Sequence, residues 1–136
     1  MSIAGVEQLD KADSLVGMAR GIAELVKRSA HEGTSLREFE RNVFDRLLKI
    51  GHAATEKFLS VQGNGDHGET AADEQGRTLY RSEKPATRSL RTIFGVHRFQ
   101  SYVYRQRRNP NTPIVLRPID RQLGIGPDRW SPLLQE

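Results

Sequence analysis

Residues 88–108 read RSLRTIFGVHRFQSYVYRQRR, a run in which arginines and aromatic residues alternate about one glycine. Alternation with a period of two is the mark of a β-strand, because successive side chains point to opposite faces. Gly95 followed by Val96 suits a two-residue type II′ turn, whose first central position favours glycine. Pairing Phe94 with His97 then sets Thr92 against Phe99, Leu90 against Ser101 and Arg88 against Val103. One face of this predicted hairpin collects Leu90, Thr92, Phe94, Phe99 and Val103; the other collects Arg91, Ile93, Arg98, Gln100, Tyr102 and Tyr104. The first face reads as core, and the second as either basic surface or a second, partly aromatic packing face.

Upstream of the hairpin the periodicity changes. ETAADEQGRTLYR, residues 69–81, reads as two short strands around a Gln75-Gly76 turn, and Pro85 separates them from the hairpin. Before that, Leu36, Phe39, Val43, Leu47, Ile50, Ala54, Phe58 and Val61 recur in 3,4,4,3,4,4,3 spacing, a helical seam that Phe44, Leu48 and Leu59 widen. Ser35-Leu-Arg-Glu38 has the form of a capping box at its start, and Gly63 is placed to end it in a left-handed conformation. A first helix spans about Val6 to Ala30, with Leu9, Ala12, Val16, Ala19, Ile22, Ala23, Val26 and Ala30 as its narrow apolar stripe. Gly17 and Gly21 weaken that helix or let another helix approach it closely. Gly33 lies between the two, so the expectation is an antiparallel helical hairpin, or two helices that exchange partners in a dimer. Downstream, residues 105–136 read as a basic, proline-rich tail: a loop, a short extended piece, and a capped turn or short helix beginning near Asp128.

The fold class expected is therefore α+β, with a helical arm at 1–62 followed by a small antiparallel β unit and basic tail at 63–136. Charge divides near the same place. Residues 1–76 hold nine Lys/Arg against thirteen Asp/Glu, whereas residues 77–129 hold twelve, eleven of them arginine, against Glu83, Asp120 and Asp128. Such asymmetry suggests a basic surface facing a polyanion, and arginine suits phosphate forks and aromatic stacking. The absence of cysteine excludes disulfides, thiolate zinc sites and cysteine nucleophiles. The N-terminus lacks the pattern of a leader and no segment is apolar for long enough to span a membrane, which points to the cytoplasm.

For function, Arg98, Tyr102, Tyr104, Arg105, Arg107 and Arg108 combine phosphate-binding charge with rings able to stack on bases. The alternative is a solvated sheet face with no ligand. Asn64, Asp66, His67, Glu69 and Asp73 are rich in metal-ligating atoms, yet they miss the spacing of a calcium loop and are explained by a helix cap and turn. His31, His52, His67 and His97 show no ligand spacing; there is no Gly-x-Ser-x-Gly elbow and no phosphate loop of the Walker or dinucleotide type. Neither a catalytic site, a metal nor a cofactor is expected.

Three stretches in order carry a resemblance: FERNVFDRLLKIGHAATEKFL running into QGNGDHGET, then TRSLRTIFGVHRFQSYVY, then IVLRPIDRQLGIGPDRWSPLLQ. Together they resemble the N-terminal region of ISKra-type insertion-sequence transposases over about residues 36–135. Arg91-Thr-Ile-Phe-Gly95 with Tyr102-Val-Tyr104, and Pro118-Ile-Asp120 with Leu123-Gly124, are its most specific pieces. The resemblance implies a DDE enzyme in which three carboxylates on a ribonuclease-H-like core hold two divalent metals, and that core follows the region matched here. It implies that this chain, ending at Glu136, is a truncated or frameshifted non-catalytic portion, so Asp66, Asp73 and Asp120 are not catalytic. Where the family pattern has a small residue after Tyr104, this sequence has Arg105, and residues 1–30 carry no motif. The expected role is DNA binding, oligomerisation, or both. Arg91, Arg98, Arg105, Arg107 and Arg108 are the expected phosphate contacts, with Tyr102 and Tyr104 as stacking partners and DNA held along 77–129. The alternatives are a dimerisation module, as homodimer or docked on a full-length transposase, and a transposon remnant without function.

Overall fold

Ser14 opens the first helix: its Oγ accepts a hydrogen bond from the Gly17 amide at 2.9 Å, satisfying one of the donors that a helix start leaves free. The computed structural model describes residues 14–136, so the expectations for Leu9 and Ala12 fall outside the described residues. Helix α1 runs Leu15–Glu32 and stops at Gly33, which takes φ 68° and donates its amide to the Ser29 carbonyl. Helix α2 runs Leu36–Ser60. At its start the Ser35 Oγ accepts from the Glu38 amide at 3.2 Å, the first half of the expected capping box.

The face that α1 buries differs from the expected stripe. Leu25 and Ser29 are buried, with Met18, Gly21 and Ile22 half-buried beside them, while Val16, Ala19, Ala23, Val26 and Ala30 are exposed. Hydrophobic stabilisation follows apolar area, and Met18 and Leu25 offer more of it than a run of alanines. These two side chains face Asn42 and Ile50 of α2 across a cleft of about 440 Å³. Gly21 is the point of close approach, since a Cβ there would lie 2.9 Å from Arg46 Nη1. Much of the α2 seam stays uncovered: Leu36, Phe44, Leu47, Phe58 and Val61 are all more than half exposed.

The architecture is α+β. The chain divides into two units, Met1–Glu56 and Lys57–Glu136, with the division inside α2. In the second unit, β1 (Thr70–Ala72), β2 (Thr78–Arg81), β5 (Tyr104–Arg105) and β6 (Ile114–Leu116) form an antiparallel sheet in the order β1-β2-β5-β6. The expected turn at Gln75-Gly76 joins β1 to β2, and Asp73 braces it by accepting from the amides of Gln75 and Arg77. A separate two-stranded hairpin pairs β3 (Ala86–Thr92) with β4 (Gly95–Ser101).

The hairpin register corrects the sequence reading. Thr92 pairs with Gly95, Leu90 with His97 and Arg88 with Phe99, so the turn is centred on Ile93-Phe94 and not on Gly95-Val96. Thr92 supplies the reason: its Oγ1 accepts from the Phe94 amide at 3.1 Å and donates to the Gly95 carbonyl at 3.3 Å, closing a turn with its own side chain. Gly95, at φ 119°, then occupies the position after the turn. Because the slip is an even number of residues, the two faces keep their membership. Leu90 and Thr92 still share a face with Phe99, but Arg88 and His97 are buried there as well.

Arg88 is the charged centre of this core. Its Nε donates to Asp120 Oδ1 at 3.0 Å, Nη1 to the Ser89 carbonyl, and Nη2 to the carbonyls of Gly126 and Asp128. Asp120 belongs to a helix that the sequence reading does not assign, α3 (Pro118–Leu123), with proline in its first turn and Gly124 left-handed at its end. The terminal helix α4 (Pro132–Gln135) follows Ser131, a turn later than the expected start near Asp128. Leu59, Leu79, Leu90, Val103, Tyr104 and Ile119 complete the apolar core. No helix among the described residues is long and apolar enough to cross a membrane.

Removing one partner of a buried ion pair strands the other. Asp120→Ala is expected to lower unfolding free energy by about 3 kcal/mol or more, measured by urea denaturation; a loss near zero would show that the carbonyls alone satisfy Arg88.

Candidate nucleic-acid interface

The interface begins with a question of parity. β5 has only two residues, and the fully buried one is Tyr104. Its hydroxyl accepts from the His67 amide at 2.9 Å and donates to the Gly68 carbonyl at 2.7 Å, so the ring sits in the core with its polar end satisfied. Tyr104 is therefore not available to stack on a base, contrary to the expectation from its alternation. It reads as surface only if the strand is treated as the open face of a longer hairpin; in the structure it lies in a different sheet, paired with Arg81 and Leu116.

With Tyr104 inward, the next residue points outward. Arg105 pairs directly with Tyr80 of β2, which places these side chains on the same face. Around them lies a groove of about 410 Å³ lined by Tyr80, Lys84, Arg105, Arg107 and Arg108, with Glu83 as its one carboxylate residue. The loop after β5 is held in shape by its own polar groups. Arg105 Nε donates to the Thr112 carbonyl at 2.8 Å, the Thr112 amide to the Asn109 carbonyl, and the Asn111 amide to Asn109 Oδ1. Arg108 carries its guanidinium carbon 4.7 Å from the centre of the Tyr80 ring, within the range of a cation–π contact.

The remaining expected residues are placed elsewhere on this unit. Arg91 and Arg98 are exposed on the outer face of the β3-β4 hairpin, and neither lines the groove. Arg91 lies 5.6 Å from the Trp130 ring centre, next to backbone bonds that join Arg91 to Arg129 and Ser131. Tyr102 is half-buried, with the Arg81 guanidinium 5.0 Å from its ring centre. The structure thus brings together Arg105, Arg107 and Arg108 and adds Tyr80 and Lys84, which sequence reading passed over. The available signal for Tyr80 was its position as the outward residue of a strand, opposite a cation that only the sheet order reveals.

Charge pairing separates structural cations from free ones. Arg77 binds Asp73 at 2.7 Å, Arg81 binds Asp66 at 2.7 Å, Arg88 binds Asp120 at 3.0 Å, and Arg121 lies 3.7 Å from Glu74. Among the described residues no carboxylate pairs with Lys84, Arg105, Arg107 or Arg108. The Arg81 side chain, followed by the Gly68 amide, holds the Asp66 carboxyl below its ordinary value of 3.8. Burial pushes the Asp73 carboxyl up, but hydrogen bonds from the Arg77 amide and guanidinium outweigh it and the net shift is downward. Asp66 and Asp73 are therefore both engaged by arginines and turn amides.

Comparison of the chain with family models, with curated proteins and with solved structures finds no match to any of them.

A lowered folded-state pKa means that the unfolded chain binds more protons, so stability rises with pH through this window. The Asp66 contribution is fully present above about pH 4 and is lost as pH falls through the lower folded value. In thermal melts across pH 2.5–6, Asp66→Asn is expected to melt below the wild type at the upper end, with the gap closing on acidification; a gap that persists to the lowest pH would sink this assignment.

Proposed function

We propose that this chain is a non-catalytic, DNA-binding portion of a transposase, acting in the cytoplasm on its own element's DNA. The observation that carries the reading is the groove: four cations with no carboxylate partner among the described residues, gathered around one aromatic ring by a two-residue strand, a self-braced loop and the β2–β3 connection. Cations held this way attract phosphate without first having to leave an internal ion pair. The resemblance of residues 36–135 to the N-terminal region of ISKra-type transposases supports DNA as the polyanion. Arg105, Arg107, Arg108 and Lys84 are the proposed phosphate contacts. Arg91 and Arg98, with Trp130, offer a second basic strip on the hairpin, and Tyr102 is proposed to support Arg81 rather than to stack on DNA.

Fluorescence anisotropy with labelled DNA between 50 and 300 mM salt tests this. Four phosphate contacts correspond to a slope of about −3 to −4 in log affinity against log salt. Lys84→Ala/Arg107→Ala/Arg108→Ala, all exposed positions, is expected to flatten that slope by about 2 to 3. Affinity independent of salt, or a variant indistinguishable from wild type, removes the proposal.

Self-association is the second reading, favoured by the uncovered apolar side chains of α2, of which Phe44 is 60% and Leu47 51% exposed. A soluble surface rarely leaves neighbouring large apolar groups on one helical stripe without a partner. Sedimentation is expected to show a concentration-dependent shift to dimer that Phe44→Glu/Leu47→Glu abolishes; a monomer throughout the accessible concentration range would remove it.

A further inference from the structure

Charge alone would be served by a flat or convex surface, yet the free cations here surround a concavity with a ring in its wall. Tyr80 is half-buried, one side of its ring faces the Arg108 guanidinium at 4.7 Å, and both residues line the groove. Guanidinium planes and aromatic rings are the surfaces on which nucleobases stack, and stacking on arginine leaves its N–H groups free for phosphate or base edges. Duplex DNA offers the outside of its backbone to such a site, because its base faces are covered by their stacked neighbours. An unpaired base has both faces open and can enter a pocket. The volume, about 410 Å³, falls within the range of roughly 300–1,000 Å³ typical of pockets that enclose small ligands.

We infer that the groove is a site for an unpaired nucleotide of single-stranded nucleic acid, with the base stacked on the Tyr80–Arg108 pair and its phosphates held by Lys84, Arg105 and Arg107. The inference rests on the phosphate-binding reading above and adds the base as the recognised group. The Arg105 Nε–H bond to the Thr112 carbonyl restrains its guanidinium in the groove lining, whereas Lys84 and Arg107 are exposed and can adapt to the strand. Glu83 is the one acidic residue in the groove lining and would oppose a strand laid along it.

The test uses the full chain and three labelled probes at one ionic strength: a twelve-residue oligothymidine, an abasic oligomer of equal phosphate count, and a twelve-base-pair duplex. The oligothymidine is expected to bind roughly ten-fold or more tightly than the abasic oligomer, the gain of about one stacked base. Tyr80→Leu should bring the oligothymidine-to-abasic ratio to about one, any weakening common to all three probes reporting only the displaced Arg108, while Tyr80→Trp should retain the ratio. Equal affinity for oligothymidine and the abasic oligomer overturns the inference and leaves the phosphate-binding reading intact. No measurable binding of any probe overturns both. A duplex preferred over oligothymidine also overturns the inference, since it would show that the groove follows paired backbone alone.

Discussion

The buried hydroxyl of Tyr104 is the constraint from which the β unit is organised. A phenol in a core must keep both its donor and its acceptor role satisfied, and here the backbone of His67 and Gly68 does so. That pair of bonds holds the turn after α2 against the sheet, where the Asn64 carbonyl also accepts from the Tyr102 amide. Gly65 sits in this turn at φ 77°, a backbone conformation that favours glycine, and a Cβ there would stand 3.3 Å from Ile119 Cγ1, a tight contact. The same burial decides which way β5 faces. A strand of two residues has no other means of choosing, and once Tyr104 is inward Arg105 must emerge beside Tyr80.

A second constraint acts at the other end of the unit. Arg88 joins β3 to Asp120 of α3 and to two carbonyls of the 124–128 loop. Five donors in a rigid fork can satisfy this many acceptors at once, which a lysine ammonium on its flexible stem does not. The pair also leaves Asp120 Oδ2 buried without a partner of its own, so the contact brings conformational definition more than net stability. By fixing the loop it also directs the following chain along β3, where Arg91 and Trp130 form an isolated bridge.

Much of the fold was legible because its signals are local. The Ser-x-x-Glu start of α2, the Gly33 stop of α1 and the Gln75-Gly76 turn depend on a few adjacent residues. The hairpin's faces were legible for a related reason, since parity survives any even slip, whereas its register was hidden in a Thr92 side chain that competes with glycine for the turn. Proline and glycine around PIDRQLG do mark α3, but six residues are too few for apolar periodicity to show. The site was half visible. Arg105, Arg107 and Arg108 are adjacent in sequence, while Tyr80 joins them only through β2–β5 pairing and Tyr104 leaves them because long-range hydrogen bonds take it into the core.

Net charge by segment misjudged the cations in a way that the structure explains. The acidic residues just before Arg77 do not oppose the basic segment; Asp66 and Asp73 fold onto it and neutralise Arg81 and Arg77, as Asp120 neutralises Arg88. Of those that remain, Arg91 and Arg108 rest on rings and Arg105 donates to a backbone oxygen. An ion pair cancels a charge, but a cation–π contact only positions it, leaving its field to act on an incoming anion. Arg108 on Tyr80 and Arg91 on Trp130 are of this second kind. Whether an arginine has a carboxylate partner, as Arg77, Arg81 and Arg88 do, therefore separates those that build the unit from those whose charge is left to serve a ligand, and it does so residue by residue where composition cannot.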